Sequence, residues 1–211
     1  MFFLNRYDAA MKLAPLLEKY KNEEGVILAV PRGGVPIGYY LAKHFDFPLD
    51  LLMTKKIGHP AHKEFAIGAV GMEDSVVDNL YNIPQYYIDR EINRIRRSLI
   101  DRYKKFMGDR ETIDIKNKIV IVVDDGVATG KTILVTLKLL RSRHPKKLVV
   151  AVPVSSVEAA KRISRKADEF ISLYTPEPFY GVGGFYEDFS ETTDEEVMAL
   201  LKELNERGKA A

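Results

Sequence analysis

Cysteine is absent from the 211 residues, which removes disulfides, thiolate metal centres and a cysteine nucleophile from consideration. A bias of charge is missing as well. Thirty-two basic residues stand against 30 acidic ones, a net charge of +2, so neither nucleic acid nor a membrane surface is expected as the principal partner. No segment reaches the ~18 uninterrupted apolar residues of a membrane helix. The start, MFFLNRYDAAMKL, breaks its short apolar run at Arg6 and Asp8, before the core of a secretory signal can form. The expectation is a cytoplasmic protein. Repeats, low-complexity tracts and Pro/Gly/Ser-rich linkers are also lacking, so residues 1–211 read as a single domain. With 46% hydrophobic and 29% charged residues, a chain of this length can bury one proper core.

What is present is an alternation of strands and helices. Asp8 is placed to cap a helix running to about Tyr20. GVILAV (25–30) is a continuous apolar run with β-branched residues, the pattern of a buried strand. VPIGYYLAKHF (35–45) has helical spacing, and PLDLLMT (48–54) reads as a second strand. Residues 56–82, rich in Gly and Pro, read as an irregular flap or hairpin outside the core. Pro84 suits a helix first turn. Beyond it Ile88, Ile92, Ile95, Leu99, Tyr103 and Phe106 recur at steps of three and four, giving one apolar stripe. KIVIVVDD (118–125), a helix at about 130–143, KLVVAVPV (147–154), a helix from Ser155 and EFISLY (169–174) follow. TTDEEVMALLKELNER closes the chain as a helix with a Thr/Asp cap. About five strands alternating with helices predict an α/β fold, a parallel sheet covered on both faces. Such sheets bind ligands beyond the carboxyl ends of their strands.

At one such end lies VIVVDDGVATGKT (120–132). Its Gly-Lys-Thr ending invites a triphosphate loop, but that motif needs a glycine at position 125, which is Asp125. The residues point to a different ligand. Thr129, Gly130, Lys131 and Thr132 are placed to form a helix first turn, whose free amides and positive dipole end favour a phosphate monoester. Asp124 and Asp125 end the strand beside it, and carboxylates accept hydrogen bonds from vicinal hydroxyls. A phosphate at one end and a diol next to it describe a ribose 5-phosphate. The competing reading is a solvated turn whose Asp side chains cap a helix.

This stretch resembles the signature of type I phosphoribosyltransferases, which use 5-phosphoribosyl-1-pyrophosphate (PRPP). The resemblance implies that Asp124 and Asp125 accept the ribose 2′- and 3′-hydroxyls and that Ala128 to Thr132 bind the 5′-phosphate. It also implies Mg²⁺ as cofactor, with the two aspartates as indirect partners through hydroxyls or water, a nucleobase as acceptor and a homodimer. Two positions depart from the common pattern. Gly126 stands where the family usually has an aliphatic residue. Ala128 stands where enzymes for 6-oxopurines place an acid, which tilts the resemblance toward adenine- or xanthine-type transferases. A PRPP- or nucleotide-sensing module on the same fold is the non-catalytic alternative.

Other stretches extend the resemblance over about residues 26–197. AVPRGGVPIG (29–38) supplies a strand end, Arg32, and Gly33 and Gly34 before a helix. Amides from Arg32 to Val35 can form an anion nest with Arg32 as a clamp, in the place of the family's pyrophosphate loop. Some members hold a non-proline cis peptide there, expected here at Gly33 or Gly34. The plainer reading is a glycine connector for tight packing. TKKIGHPAHKEFAIGAVG (54–71) resembles the mobile loop of purine-type transferases, with Lys55 or Lys56 on pyrophosphate and a lid at about 55–82. His59, His62 and Glu64 have a spacing that admits a metal, although a loop histidine in solvent or on phosphate is the more ordinary role. TPEPFYGVGGFYEDF (175–189) matches the hood over the base, at about 175–191 together with the C-terminal helix. There Phe179, Tyr180, Phe185 and Tyr186 either stack on a ring or pack the hood's own core. Residues 90–118 carry ten basic and five acidic residues, with Arg90, Arg94, Arg97 and Lys104 on one helical face. That face is expected to be solvated, so nucleic acid is not expected.

Overall fold

The computed structural model describes residues 2–78 and 82–208. Its centre is a parallel sheet of five strands: β1 (Gly25–Ala29), β2 (Leu49–Leu51), β6 (Ile119–Val123), β7 (Lys147–Val154) and β8 (Glu169–Tyr174), in the order β2-β1-β6-β7-β8. Each of β1 and β6 is buried along its whole length, because an apolar run with no polar alternation can lie only between two covered faces. The period of two divides the side chains. Ile27, Ile119, Ile121 and Val123 face a core completed by α1 (Arg6–Leu13), α2 (Gly34–Phe45), α3 (Gln85–Met107) and α6 (Asp194–Gly208). Val26, Val120, Val122 and Val150 face the other core, built with α4 (Lys131–Ser142) and α5 (Val157–Ile163).

The crossovers reverse direction at the centre. From β1 the chain passes through α2 to β2 on one side, and from β6 through α4 to β7 on the other. The loops that leave β1 and β6 therefore diverge, and the crevice between them is where an open α/β sheet takes its ligand.

Most predicted elements appear, with shifted ends. α1 is capped by Asn5, whose side chain accepts from the Asp8 amide at 3.0 Å, and Asp8 lies in the first turn. The helix passes into a 3₁₀ segment at Ala14–Tyr20, since Pro15 removes an amide and crowds the preceding turn. The second strand narrows to Leu49–Leu51. Ser156 caps α5 through the Ala159 amide at 3.0 Å, and Thr193 caps α6 through the Glu196 amide at 3.1 Å. The apolar stripe of α3 is buried at Ile88, Ile95, Leu99, Tyr103 and Phe106, and Ile92 is partly buried. Among the described residues no helix is long and apolar enough to cross a membrane.

The largest correction concerns residues 56–82. Within them β3 (Lys55–Gly58), β4 (Ala66–Val70) and β5 (Ser75–Val77) pair as an antiparallel sheet, so the hairpin is there but it is not irregular and not outside the core. Ile57, Ile67 and Val70 are fully buried in the same core as β6. The short runs KKIG and AIGAV are strands because each pairs with its neighbour and presents one apolar face to α3 and α4. The connection between β3 and β4 is exposed from Pro60 to Phe65. Residues 79–81 of the expected lid lie outside the described residues.

The expected hood is stitched to the N-terminus. The Phe3 amide donates to the Phe185 carbonyl and the Glu187 amide to the Phe3 carbonyl, both at 2.8 Å. Phe3, Ala9 and Tyr186 form its small core, with Val182, Phe185 and Phe189 packed around it.

Because β4 belongs to the core, Ile67→Ala is expected to lower the unfolding free energy by ~2–5 kcal/mol, as deep truncations do. Denaturant titration against Ile121→Ala checks this. A loss under about 0.5 kcal/mol, the range of exposed positions, would detach the small sheet from the core.

Candidate active site

The acid pair follows β6 directly. Asp124 and Asp125 are half-buried at the sheet end, and the Asp125 amide donates to Asp124 Oδ1 at 2.9 Å. Their position requires the two glycines of the neighbouring loop. A Cβ on Gly33 would lie 2.0 Å from Asp125 Oδ2, and one on Gly34 would lie 2.7 Å from the Val123 carbonyl oxygen. Gly33 and Gly34 thus let α2 begin against the carboxylates, and the connector reading of this pair holds.

Loss of hydration and repulsion by Asp125 push the Asp124 carboxyl well above the usual carboxylate range. Burial also raises Asp125, and a cation that sequence reasoning did not find opposes the rise. Arg6, the first residue of α1, places Nε and Nη2 each 2.9 Å from Asp125 Oδ2. Its Nη1 donates to the Ser190 carbonyl at 2.8 Å, and its guanidinium lies 4.2 Å over the Phe189 ring. A partner 119 residues away leaves no mark on local pattern. Tyr186 adds a further tie, donating its hydroxyl to the Asp125 carbonyl at 2.6 Å.

After the pair the chain turns against β7. The Val127 amide donates to the Val154 carbonyl at 2.9 Å, and Ser156 Oγ donates to the Ala128 carbonyl at 2.6 Å. Gly126 is explained by packing: a Cβ there would sit 2.5 Å from Val182 Cγ1 and 2.8 Å from Val154 Cγ1. The hood's Val182 fills the space an aliphatic side chain would take. Gly130 caps α4 in the left-handed conformation, φ 69°, which favours glycine. The first turn therefore begins at Lys131, with Ala128 and Thr129 ahead of it. Ala128, Thr129, Lys131 and Thr132 are exposed, and the leading amides of α4 have no carbonyl behind them within the helix.

Thr129, Lys131 and Thr132 share a cleft of ≈ 610 Å³ with Lys55, Lys56, Glu64 and Phe65. The structure thus brings both predicted lysines beside the predicted phosphate loop. Lys56 is engaged there by Glu64, with Nζ 2.9 Å from Oε2. Proximity to Lys56, and less so to Lys131, holds the Glu64 carboxyl below its ordinary range.

Other predicted residues stand elsewhere. Arg32 is paired with Glu191 and with Asp194, the latter at 3.3 Å, and Asp194 also takes Lys105 at 2.6 Å. The non-proline cis peptide is present, but at Pro31–Arg32. The nest expected from Arg32 to Val35 is half used: the Gly34 amide donates to Val30 and the Val35 amide to Arg32, each at 3.0 Å, because the loop already winds into α2. Phe179 stacks on Phe185 at 5.7 Å, whereas Tyr180 is 93% exposed. Among the described residues no group of three or more His, Asp or Glu could hold a metal. His59, His62 and Glu64 therefore do not form one, and His59 Nδ1 accepts from the Ala61 amide at 3.2 Å.

Comparison with known proteins bears on the family and the fold. Two Mycobacterium tuberculosis proteins, from strains CDC 1551 and H37Rv, carry the provisional name phosphoribosyl transferase. Each is 35% identical over 204 residues, covering 94% of this chain and 46% of the relative. The chain thus spans about half the length of these relatives. The crystal structure of TT1426 from Thermus thermophilus superposes with a TM-score of 0.89 at 38% identity, covering 97% of this chain and 99% of that one. A Neisseria gonorrhoeae protein solved with bound ppGpp shares the fold, with a TM-score of 0.52 at 16% identity over 96% of this chain and 98% of that one. The model of the phosphoribosyl transferase domain matches residues 5–189, and the chain belongs to that family.

Proposed function

We propose that the protein transfers the phosphoribosyl group of PRPP to a ring nitrogen of a nucleobase, releasing pyrophosphate. The observation that carries this reading is the half-buried carboxylate pair at the end of β6, followed within a few residues by the exposed, amide-lined start of α4. Both stand at the point where the sheet's connections diverge. Asp124 and Asp125 accept the ribose hydroxyls, and Thr129 to Thr132 hold the 5′-phosphate with Ala128 beside them. Lys55 or Lys56 meets the pyrophosphate, and so does Arg32 once Glu191 and Asp194 release it. Gly33 and Gly34 keep the pyrophosphate loop against the acid pair. Phe179 and the exposed Tyr180 offer rings to the base, and the Ala128 side chain leaves the 6-oxopurine position without an acid.

In the step itself the bond between C1 and the pyrophosphate oxygen breaks as the bond to nitrogen forms, the electron pair leaves on pyrophosphate, and the proton of the ring nitrogen passes to the departing pyrophosphate or to water. The protein's contribution is position and charge: lysine and arginine stabilise the leaving oxygens while the carboxylates fix the sugar. Mg²⁺ fits the donors present, because it commonly binds through one or two carboxylates with substrate phosphates supplying the rest. Its bound chemistry is neutralisation of the pyrophosphate, with Asp124 and Asp125 as indirect partners through hydroxyls or water. We further propose that residues 1–211 act as one unit, in a homodimer and in the cytoplasm.

One observation favours a second reading, a module that senses PRPP without turnover. Lys56, Arg32 and Arg6 are each paired with the chain's own carboxylates, an arrangement that an anionic ligand can exchange. Incubation with PRPP, Mg²⁺ and a panel of nucleobases is expected to release pyrophosphate with at least one base. Tight PRPP binding with no turnover on any base would give the site to the sensor.

Asp124→Asn/Asp125→Asn is expected to weaken PRPP binding by about tenfold or more, ~1.4 kcal/mol. Inorganic phosphate affinity should stay within about twofold, a change of only ~0.4 kcal/mol. Calorimetry showing unchanged PRPP affinity would remove the diol assignment.

The raised acid pair also predicts a pH signature. A carboxyl with a folded pKa above its unfolded one keeps its proton longer in the native state. Stability therefore falls as pH rises from the unfolded value through the folded one, and the full loss is present above it. Asp124→Asn should raise stability at pH 7.5 by about 1 kcal/mol. The gain should shrink as pH approaches ~4, the unfolded range. Thermal melts at several pH values check this, and a gain independent of pH would contradict it.

A further inference from the structure

The face of α3 opposite its apolar stripe is solvated, as expected, and it borders a shallow, open cleft. Arg94, Arg97, Arg102 and Lys105 line it along the helix, and Arg32 and Asp194 close the far side. The volume is ≈ 750 Å³, and five cationic side chains face two carboxylates. Arg94 and Lys105 have partners, Glu91 at 2.8 Å and Asp194 at 2.6 Å. Arg97 and Arg102 have no carboxylate within ion-pair distance among the described residues, and Arg102 lies 5.6 Å over the Phe106 ring. Clustering like charge on one face raises the local potential and attracts anions. Guanidinium groups match phosphate oxygens with paired donors.

The two carboxylates of the lining are Asp101, on α3 itself, and Asp194, the first residue of α6. Standing among the cations, they disfavour a long phosphodiester backbone laid along the whole face and leave room for a short chain of several charges. We propose that this cleft binds a short polyphosphate chain, free or carried on a nucleotide, as a second anion site distinct from the start of α4. Asp194 links it to the loop after β1, since the same carboxylate holds Lys105 and Arg32.

Calorimetry on the full chain with tripolyphosphate tests this, with ATP as the parallel probe. Arg97→Glu/Arg102→Glu should weaken tripolyphosphate binding by about tenfold or more, with an unchanged circular dichroism spectrum. Lys131→Ala, altered only at the α4 site, should keep a binding event of wild-type affinity. Equal affinity for the two probes would mean that the chain alone is recognised, and tighter ATP binding that a nucleotide carries it. Two results would overturn the proposal. One is loss of tripolyphosphate binding in Lys131→Ala but not in the charge-reversal variant. The other is an oligoribonucleotide held by the same arginines and not displaced by tripolyphosphate.

Discussion

Two neighbouring carboxylates at the end of a buried strand repel each other and lose hydration, and the surrounding structure is arranged to tolerate them. Asp124 rises well above the usual carboxylate range for these reasons. Asp125 escapes part of the burden because Arg6 supplies two nitrogens at 2.9 Å. The glycines of the adjacent loop make room, since any Cβ at position 33 would strike Asp125 Oδ2. Tyr186 then ties the Asp125 backbone to the hood. A folding chain left to stability alone would not retain such a pair, so its presence is best understood through a ligand that uses it.

Three cations of the site share a second property: Lys56, Arg32 and Arg6 are already matched within the chain. Glu64 takes Lys56, Glu191 and Asp194 take Arg32, and Asp125 takes Arg6. Several of these pairs are exposed to water, where ion pairs are weak and screened by salt. In the proposed reading an incoming anion exchanges one weak partner for a better one and brings little net desolvation. The carboxylates it displaces lie on the β3–β4 connection and just before or at the start of α6. In that reading the side chains that yield belong to those two segments, while the sheet and the small antiparallel layer are held by their buried residues.

Much of this was legible in the sequence. GVILAV, KIVIVVDD and KLVVAVPV are unbroken apolar runs that only a sheet buried on both faces accommodates, and the stripe of α3 is visible at its spacing. The register of acid pair, Thr-Gly-Lys-Thr and following helix located the candidate site, and PRGG located the loop beside it. What stayed hidden depends on long-range packing. KKIG and AIGAV are too short to declare themselves as strands until they pair with each other. Arg6 meets Asp125, and Glu191 meets Arg32, only after the termini fold across the sheet. Gly126 stood out only as a departure from the family pattern, because nothing local shows that Val182 occupies the space above it. The basic face of α3 is solvated as its pattern implies, but the approach of Arg32 and Asp194 to it, from far away in the chain, left no local sign.

The proposed function rests on one spatial relation: a sugar diol meets the acid pair while its phosphate rests on the start of α4. The most direct test is a structure determined with PRPP and Mg²⁺ bound. The ribose 2′- and 3′-hydroxyls are predicted within about 3 Å of the carboxylate oxygens of Asp124 and Asp125. The 5′-phosphate is predicted on the amides and hydroxyls of Thr129 to Thr132. A sugar bound away from both aspartates, or a phosphate seated elsewhere with residues 128–132 empty, would contradict that relation.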